Sequence, residues 1–365
     1  MPSQTDSRHR ERVSKPSLQI PSLDGLRAVS FLLVFVAHSG LDKVVPGGFG
    51  VTTFFFLSGF LITTLMRLED RKTGTVSLKG FYLRRIFRIL PPFYLTLILA
   101  TGLALVGLVP GKLEATPMAA LMFHFGNYWF VYHGGSGVPA GTAVYWSLAV
   151  EEHFYLLFPL LYLVTRRLGL AGRRQGLFFL LLCGAIVVWR SLLVLRYGVP
   201  EDRTYLASDT RFDSILFGCA LAVAMNPMVD GPVGSDRLWK RVLFPAAVAL
   251  LLLTFLYRAP WFRESIRYTL QGIGLTPVFI AAMRFPTWGP FRILNNRVLA
   301  FVGVLTYSLY LVHHVVLYTV HHHFPTWHPV LLSLIALAIS LGFSLAMYVC
   351  VERPFGRLRK RFSAV

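Results

Sequence analysis

Charged residues are scarce in this 365-residue chain. They make up 15% of the sequence, whereas hydrophobic residues make up 55%, and a soluble domain carries about 25% charged residues. So little polar surface excludes a water-soluble globular protein of this length. Cysteine is scarce as well: Cys183, Cys219 and Cys350 lie far apart within apolar segments, which excludes a disulfide framework and a cysteine metal site.

The apolar segments also lack the alternation of polar and apolar residues that is typical of a membrane β-barrel. They are continuous, recur along the whole chain and are long enough to cross a bilayer, so we predict an all-α, polytopic transmembrane helical bundle. About ten spans are predicted, at 26–41, 49–66, 87–109, 146–165, 177–195, 211–226, 242–257, 268–284, 299–321 and 330–350. Segment 116–131 contains His124 and Asn127 and is predicted to be re-entrant or interfacial.

Acidic residues are outnumbered by basic ones, 17 against 36, which gives a net charge of +19. With ten spans both termini share one side, and most of the basic residues fall in segments on that side. The opposite loops hold only Lys43, Lys112, Arg196, Arg203, Arg258, Arg263 and Arg267. By the positive-inside rule we predict cytoplasmic termini. The basic excess is therefore a topology signal and an attraction for anionic ligands, not a nucleic-acid-binding face.

Three units follow from this pattern. Residues 1–21 are predicted to be a disordered basic cytoplasmic tail, 22–358 a transmembrane domain and 359–365 a second basic tail. No small-x-small cleavage site ends the apolar run of the first span, and His38-Ser39-Gly40-Leu41 follows it, so we predict an uncleaved first span.

Arg27 and His38 are polar residues within the first predicted span. Their separation corresponds to about 16 Å of helix, roughly half a bilayer core and close to three turns, so both side chains can face one way. Each one alone also fits an interfacial anchor. Because polar residues inside spans are costly and commonly functional, the pair favours a functional channel.

Arg84, Arg85 and Arg88 cluster where the third span begins. Guanidinium groups bind two phosphate oxygens at once, so this cluster favours a phosphorylated ligand. The alternative is a basic flank that stops transfer through the membrane.

Carboxylates enter the fourth span at Glu151 and Glu152, shortly after Trp146. A carboxylate inside a membrane span costs free energy, so it is retained where it has a function or a paired charge. Catalysis, acceptor binding and a salt bridge to an arginine such as Arg211 all stay open. Arg211 and Asp213 are close enough in sequence that a role in joining helix ends is favoured.

Further candidates lie in the second and ninth spans. Ser58 lies among small residues that allow close approach of a helix or a ligand chain. Tyr307 and His313 lie in the ninth span, where His313 is either functional or a hydrogen-bonded core histidine. The run from His321 to His323, with His328, favours an interfacial polar cluster over a metal site.

Seven motifs in this sequence resemble those of one protein family and occur in the same order as in that family. They are Ser22-Leu23-Asp24-Gly25-Leu26-Arg27-Ala28, with a histidine eleven residues after the arginine; Leu57-Ser58-Gly59-Phe60-Leu61-Ile62; Arg84-Arg85-x-x-Arg88-x-x-Pro91; Trp146-Ser147-Leu148-x-x-Glu151; Arg211-x-Asp213; Tyr307-Ser308-x-Tyr310-Leu311-x-His313; and Glu352-Arg353-Pro354. Over residues 20–358 the chain resembles the acyltransferase-3 superfamily of integral membrane acyltransferases. Thr306 and His153 depart from it, standing where serine and glutamine are usual.

The resemblance implies an O-acyltransferase in the cell inner membrane that uses an acyl-CoA, usually acetyl-CoA. It implies an acceptor hydroxyl on a cell-surface or exported carbohydrate such as lipopolysaccharide, exopolysaccharide or peptidoglycan, or on a glycosylated metabolite. It also implies that His38 is catalytic and that Arg27 is needed for activity. We expect a single-domain member, without the C-terminal esterase-like domain that some members carry.

Residue roles follow from combining these observations. Coenzyme A is a polyanion, so its phosphates are expected at the arginine cluster, with its pantetheine arm running between spans one, two and nine towards His38. The predicted donor-binding residues are Arg84, Arg85, Arg88, Ser58, Tyr307 and His313. The predicted acceptor-binding residues are Trp146, Glu152 and Arg211.

His38 is predicted to act either as a general base on the acceptor hydroxyl or as a nucleophile. Glu151 either orients His38 or binds sugar hydroxyls, and no metal is expected. A transporter or proton-coupled channel is the alternative, since buried Arg, Glu and His also form ion relays. Against it, the charges cluster at the two faces, and no inverted repeat is visible.

Overall fold

The computed structural model describes residues 20–362, which form helices and connecting loops without any β-strand. The long helices are α1 (Leu23–Val36), α2 (Gly47–Thr73), α3 (Leu78–Leu105), α4 (Trp146–Arg167), α5 (Arg173–Tyr197), α6 (Ser208–Ala224), α7 (Phe244–Leu256), α8 (Arg267–Arg284), α9 (Arg297–His323) and α10 (Pro329–Met347). The predicted all-α fold is confirmed. Residues 1–19 of the predicted N-terminal tail lie outside the described range.

Eight helical stretches within residues 20–362 are long and apolar enough to cross a bilayer. They coincide with eight of the predicted spans, and the chain is a multi-pass membrane protein. The two other predicted spans, 211–226 and 268–284, coincide with α6 and α8. The first of these helices has 17 residues and the second carries an arginine at each end, so the number of spans and the side of the termini stay predictions.

Segment 116–131 forms two short helices, Ala115–Met122 and Gly126–His133. They are separated at His124, whose backbone φ is 59°. Each has 8 residues and is therefore about 12 Å long, too short to cross a core of about 30 Å. The segment is not a single transmembrane helix, in agreement with the interfacial or re-entrant prediction.

Glycines allow α2 and α6 to cross in close contact. A Cβ atom on Gly59 would lie 2.0 Å from the carbonyl oxygen of Ile215, and one on Gly218 would lie 2.0 Å from that of Phe56. Neither position therefore accepts a larger residue without separating the helices. This contact fixes the rotation of α2 and with it the direction of the neighbouring Ser58.

A buried ion pair joins α5, α6 and α8. Both terminal nitrogens of Arg190 donate to the Asp213 carboxylate, at 3.2 and 3.0 Å, and both side chains are fully buried. Thr269 donates to Asp213 at 2.7 Å, and Arg190 also donates to the carbonyl oxygens of Ser265 and Thr210. The pair is thus fully hydrogen-bonded, as a buried charge pair must be. Of the two residues predicted to join helix ends, Arg211 and Asp213, the ion pair contains Asp213, whose partner is Arg190.

Replacing Arg190 by alanine should destabilise the protein strongly, because it leaves the Asp213 carboxylate buried without its counter-charge. The expected loss is about 3–5 kcal/mol, measured as a lower midpoint of thermal unfolding in detergent. Arg196→Ala is the matched control, since Arg196 lies on the same helix and is exposed. Equal midpoints for the two variants would contradict this role.

The C-terminal helix Arg353–Lys360 folds back against the start of α3. Phe87 of α3 stacks on Phe355 and Phe362, with ring centroids 6.2 and 5.7 Å apart. Arg84 donates to the carbonyl oxygen of Phe362 at 2.6 Å. The predicted tail 359–365 therefore starts inside a packed helix, and only residues 363–365 of it lie outside the described range.

Candidate active site

One cavity of about 780 Å³, including its open mouth, lies between α1, α2, α3, α4 and α9. We call it the arginine cavity. Of the predicted site residues, Arg27, Ser58, Arg85, Arg88, Glu151 and Tyr307 line it. Arg27 lies near the start of α1, and Arg85 and Arg88 lie in the first half of α3. Half of the predicted site residues therefore meet in one place.

The arginines of this cavity differ in their partners. Arg27 forms an ion pair with Asp24 at 2.6 Å, one helical turn away. Arg85 lies over the rings of Phe81 and Tyr155, 5.7 and 5.2 Å from their centroids. Among the described residues, neither Arg85 nor Arg88 donates a hydrogen bond or pairs with a carboxylate. Two guanidinium forks thus remain available to an anionic ligand.

Arg84 does not line the arginine cavity. It donates to the Glu69 carboxylate at 2.6 Å and to the backbone of Phe362. Glu69 is only 3% exposed and also accepts from the backbone nitrogen of Ser77. Arg84 thus holds the C-terminal segment against the turn between α2 and α3. Its position does not support the predicted contact with the acyl donor, coenzyme A.

Glu151 is held inside the arginine cavity by a short relay. Tyr155 donates to its carboxylate at 3.2 Å, and the Tyr155 hydroxyl lies 2.6 Å from Ser58 Oγ. No hydrogen bond joins Glu151 to His38, and the two residues line different cavities. The predicted orienting of His38 by Glu151 is therefore corrected, because Glu151 faces the arginine end of the bundle.

A second cavity of about 1620 Å³, including its open mouth, lies at the opposite end of the helices. We call it the histidine cavity because His38 lines it. Trp146, Tyr205, Tyr257 and Tyr268 contribute aromatic faces, and its basic lining residues are Lys43, Arg258, Arg263 and Arg267. Burial raises the pKa of Tyr205, which lies outside the spans, to about 12.

His38 lies where α1 widens into a π-type turn over Ala37–Leu41. The turn is closed by Gly40, whose φ of 93° favours glycine. Wide turns of this kind are frequent at functional sites. Here the turn projects the imidazole towards α9 rather than into lipid.

The ring partners of His38 come from α9. His38 Nδ1 lies 3.0 Å from His313 Nε2, and the His38 ring stacks on His314 with centroids 4.2 Å apart. His313 is fully buried, and its Nδ1 lies 2.9 Å from the Tyr310 carbonyl oxygen. His313 was predicted to contact the acyl donor, coenzyme A. It lines neither cavity and lies against His38, the predicted catalytic histidine.

A thin wall separates the two cavities. Val51 and Tyr310 line both of them. The Tyr310 hydroxyl donates to the Val144 carbonyl oxygen at 3.0 Å and lies 2.7 Å from Ser147 Oγ. Arg27 and His38 therefore face adjacent cavities. The single channel that their spacing predicted for both side chains is not what the structure shows.

Arg211 is fully buried beside the histidine cavity. Its guanidinium carbon lies 4.0 Å from the ring centroid of Tyr268, and the rings of Tyr205, Phe55 and Trp146 lie within 5.9 Å. It also donates to Thr52 at 3.0 Å. The salt bridge to Glu151 or Glu152 that the sequence left open is not formed, and cation–π contacts take its place.

Glu152 lines neither cavity, so its predicted acceptor contact is not supported by its position. Its Oε1 atom is buried without a hydrogen-bond partner among the described residues. Trp146, by contrast, does line the histidine cavity, where its ring meets that of Phe55 edge-on at 6.1 Å.

Several site residues carry no signal that sequence reasoning used. Tyr155 and Tyr310 look like ordinary aromatic core residues of a span. Arg359 was assigned to a tail, yet it is half-buried and close enough to Arg85 and Arg88 to interact with them electrostatically. The spacing of Phe355, Leu358 and Phe362 at i, i+3 and i+7 was the available signal, since apolar residues at that spacing indicate an amphipathic helix.

Within residues 20–362, no cluster of three or more His, Cys, Asp or Glu side chains is arranged to hold a metal ion. His323, from the run that includes His321 and His322, donates from Nε2 to the Leu108 carbonyl oxygen at 2.8 Å. His328 caps the start of α10.

The family model described as an acyltransferase domain, acyltransferase 3, matches residues 20–349. This chain belongs to that family. The family predicted from the seven motifs is confirmed, and with it the prediction of an enzyme domain of the acyltransferase class.

Curated relatives extend this result. The chain is 31% identical over 353 residues to a Staphylococcus aureus (strain COL) protein named as a candidate O-acetyltransferase, covering 92% of this chain and 57% of the relative. It is 30% identical over 315 residues to the peptidoglycan O-acetyltransferase OatA of Listeria monocytogenes, covering 81% of this chain and 49% of OatA. The chain thus spans about half the length of these relatives. No solved structure matches.

Proposed function

We propose that this chain transfers an acyl group, acetyl in the first instance, from a cytosolic acyl-CoA to a hydroxyl of a cell-surface carbohydrate. The observation that carries this proposal is the pair of cavities. One is lined by Arg85 and Arg88, which have no carboxylate partner within residues 20–362. The other is lined by His38 and aromatic rings, and the two cavities meet at Val51 and Tyr310. This arrangement suits two substrates that arrive from opposite faces of a membrane, here the cell inner membrane.

The arginine cavity is the proposed donor site. Among the described residues, the guanidinium groups of Arg85 and Arg88 have no carboxylate partner, and such groups bind phosphate oxygens in pairs. Arg85 and Arg88 follow the turn that joins α2 to α3, which is flanked by basic residues, so by the positive-inside rule we expect the cavity on the cytoplasmic side. Ser58 and Tyr307 line the path that the pantetheine arm follows from there towards His38.

Arg359 belongs to this donor site as a phosphate contact from the C-terminal helix. Replacing it by alanine should raise the dissociation constant for coenzyme A about 10- to 100-fold, since a charge-assisted hydrogen bond contributes about 1.5–3 kcal/mol. Arg357→Ala is the matched control, because Arg357 lies on the same helix and is exposed. Isothermal titration of both purified variants checks this, and equal affinities would remove Arg359 from the site.

The histidine cavity is the proposed acceptor site. Aromatic faces and an excess of basic side chains line it, which fits a carbohydrate that carries carboxylate or phosphate groups. Because relatives are named as peptidoglycan O-acetyltransferases, peptidoglycan is the first acceptor to test. Arg211 supports this site by fixing the rings of Tyr205, Tyr268 and Trp146.

His38 is the proposed general base, because it lines the acceptor cavity rather than the donor cavity. Its imidazole takes the proton of the acceptor hydroxyl, whose oxygen forms a bond to the thioester carbonyl carbon. The carbon–sulfur bond then breaks, and the coenzyme A thiolate takes the proton from the imidazolium. For this step the thioester must pass Val51 and Tyr310.

Purified protein should release free coenzyme A from acetyl-CoA only when a carbohydrate acceptor is present. Surface glycans of a deletion strain and its parent, compared by mass spectrometry, identify the acceptor, and the mass difference names the acyl group. No coenzyme A release with peptidoglycan, lipopolysaccharide or exopolysaccharide fragments would contradict the proposal.

A further inference from the structure

The two histidines that meet between α1 and α9 form a directional hydrogen-bond chain. Its inner end is the backbone of α9, where His313 Nδ1 lies 2.9 Å from the Tyr310 carbonyl oxygen and 3.2 Å from that of Leu309. A carbonyl oxygen only accepts hydrogen bonds, so His313 Nδ1 carries a hydrogen. In a neutral imidazole the other nitrogen, Nε2, is then an acceptor.

His38 is the next member of the chain. Its Nδ1 atom lies 3.0 Å from His313 Nε2, and because that nitrogen is an acceptor, His38 Nδ1 must donate. The neutral His38 ring therefore carries its hydrogen on Nδ1 and its free lone pair on Nε2. Among the described residues nothing is hydrogen-bonded to this Nε2 atom, and His38 lines the histidine cavity.

The alternative is a doubly protonated His313 that donates from Nε2 to His38. This would place an imidazolium in a fully buried position. Within residues 20–362 no carboxylate lies within hydrogen-bond distance of His313, and an unpaired buried charge is strongly unfavourable. The stacked neighbour His314 is another imidazole rather than a counter-ion. The neutral chain is therefore the arrangement that the surroundings support.

We infer that His313 is a positioning residue that fixes the tautomer of His38, so that the basic Nε2 atom faces the acceptor hydroxyl. The inference rests on the proposed function for its consequence, but the tautomer itself is a property of the resting protein. Serine hydrolases use an aspartate for the same purpose. Here a backbone carbonyl of α9 sets the direction, and a neutral histidine transmits it.

The tautomer is measured directly on the wild-type protein in detergent or nanodiscs by ¹⁵N NMR of histidine ring nitrogens. Loss of the His38 signals in His38→Ala assigns them. We expect a protonated Nδ1 and an unprotonated Nε2. A protonated Nε2 would overturn the inference, and this readout needs neither an acceptor nor any turnover, so it is independent of whether the proposed function holds.

Variants of His313 test the consequence for turnover. His313→Leu removes the acceptor of the His38 hydrogen and should lower kcat at least about 100-fold, the lower end of what a general base contributes. His313→Gln keeps an oxygen that accepts and an N–H that donates, so it should recover most of that loss. KM for acetyl-CoA should stay unchanged in both, because His313 lines neither cavity.

The exposed His322 on the same helix supplies the matched control, His322→Leu, which should behave like wild type. Coenzyme A affinity checks that His313→Leu is folded. A fully active His313→Leu would overturn the inference. So would a His313→Gln variant as inactive as His313→Leu, since a merely structural packing role predicts no rescue by the amide.

Discussion

Replacing His38 by alanine is expected to lower the rate of acyl transfer at least about 100-fold, because it removes the proposed general base. The same variant should bind coenzyme A with unchanged affinity, because His38 lines the histidine cavity and not the arginine cavity. Transfer is measured as coenzyme A release with a carbohydrate acceptor, and affinity is measured by titration.

His322→Ala is the control for this variant. His322 is an exposed histidine at the end of α9, and its loss should leave both quantities unchanged. Retained transfer in His38→Ala at normal protein abundance would remove the general base from the proposal. Loss of coenzyme A affinity in the same variant would show that the two substrates do not bind in separate cavities.

Replacing Arg88 by alanine is expected to weaken coenzyme A binding and to change the rate of transfer little, which is the opposite of the result expected for His38→Ala. It removes a guanidinium group that has no carboxylate partner within the described residues and that faces the proposed phosphate position. A charge-assisted contact contributes about 1.5–3 kcal/mol, so the dissociation constant for coenzyme A should rise about 10- to 100-fold. With saturating acetyl-CoA, kcat should change much less.

Lys79 provides the matched control for Arg88, since it is an exposed basic residue on the same helix. Lys79→Ala should bind coenzyme A like wild type. Affinity should also weaken as salt concentration rises, because screening reduces contacts between a polyanion and exposed parts of the site. An unchanged dissociation constant in Arg88→Ala would take this arginine out of the donor site.

Features that depend only on residue spacing and residue size could be predicted from the sequence. The spacing of Arg27 and His38 predicts that both project from α1 into one channel. Each does line a cavity, but the two cavities are different. The small residues of α2 predict close helix crossing, which Gly59 realises against Ile215. Both follow from helix periodicity and residue size alone.

The specific side-chain partners that come from helices distant in sequence could not be predicted from the sequence. Arg84 and Arg88 share a face of α3 by spacing, yet Arg84 is withdrawn by Glu69 and by the backbone of Phe362, 278 positions away. Glu151 faces the arginine end because of the rotation of α4, which a single sequence does not specify. The partner that His38 does have, His313, lies 275 positions away.

The central claim is that donor and acceptor meet from opposite faces of the membrane. Sealed proteoliposomes in which protease access has established the orientation of the termini allow acetyl-CoA to be offered to one face at a time. We predict coenzyme A release when acetyl-CoA is on the side of the termini and the carbohydrate acceptor is on the other side. Equal release with the two substrates exchanged would contradict it.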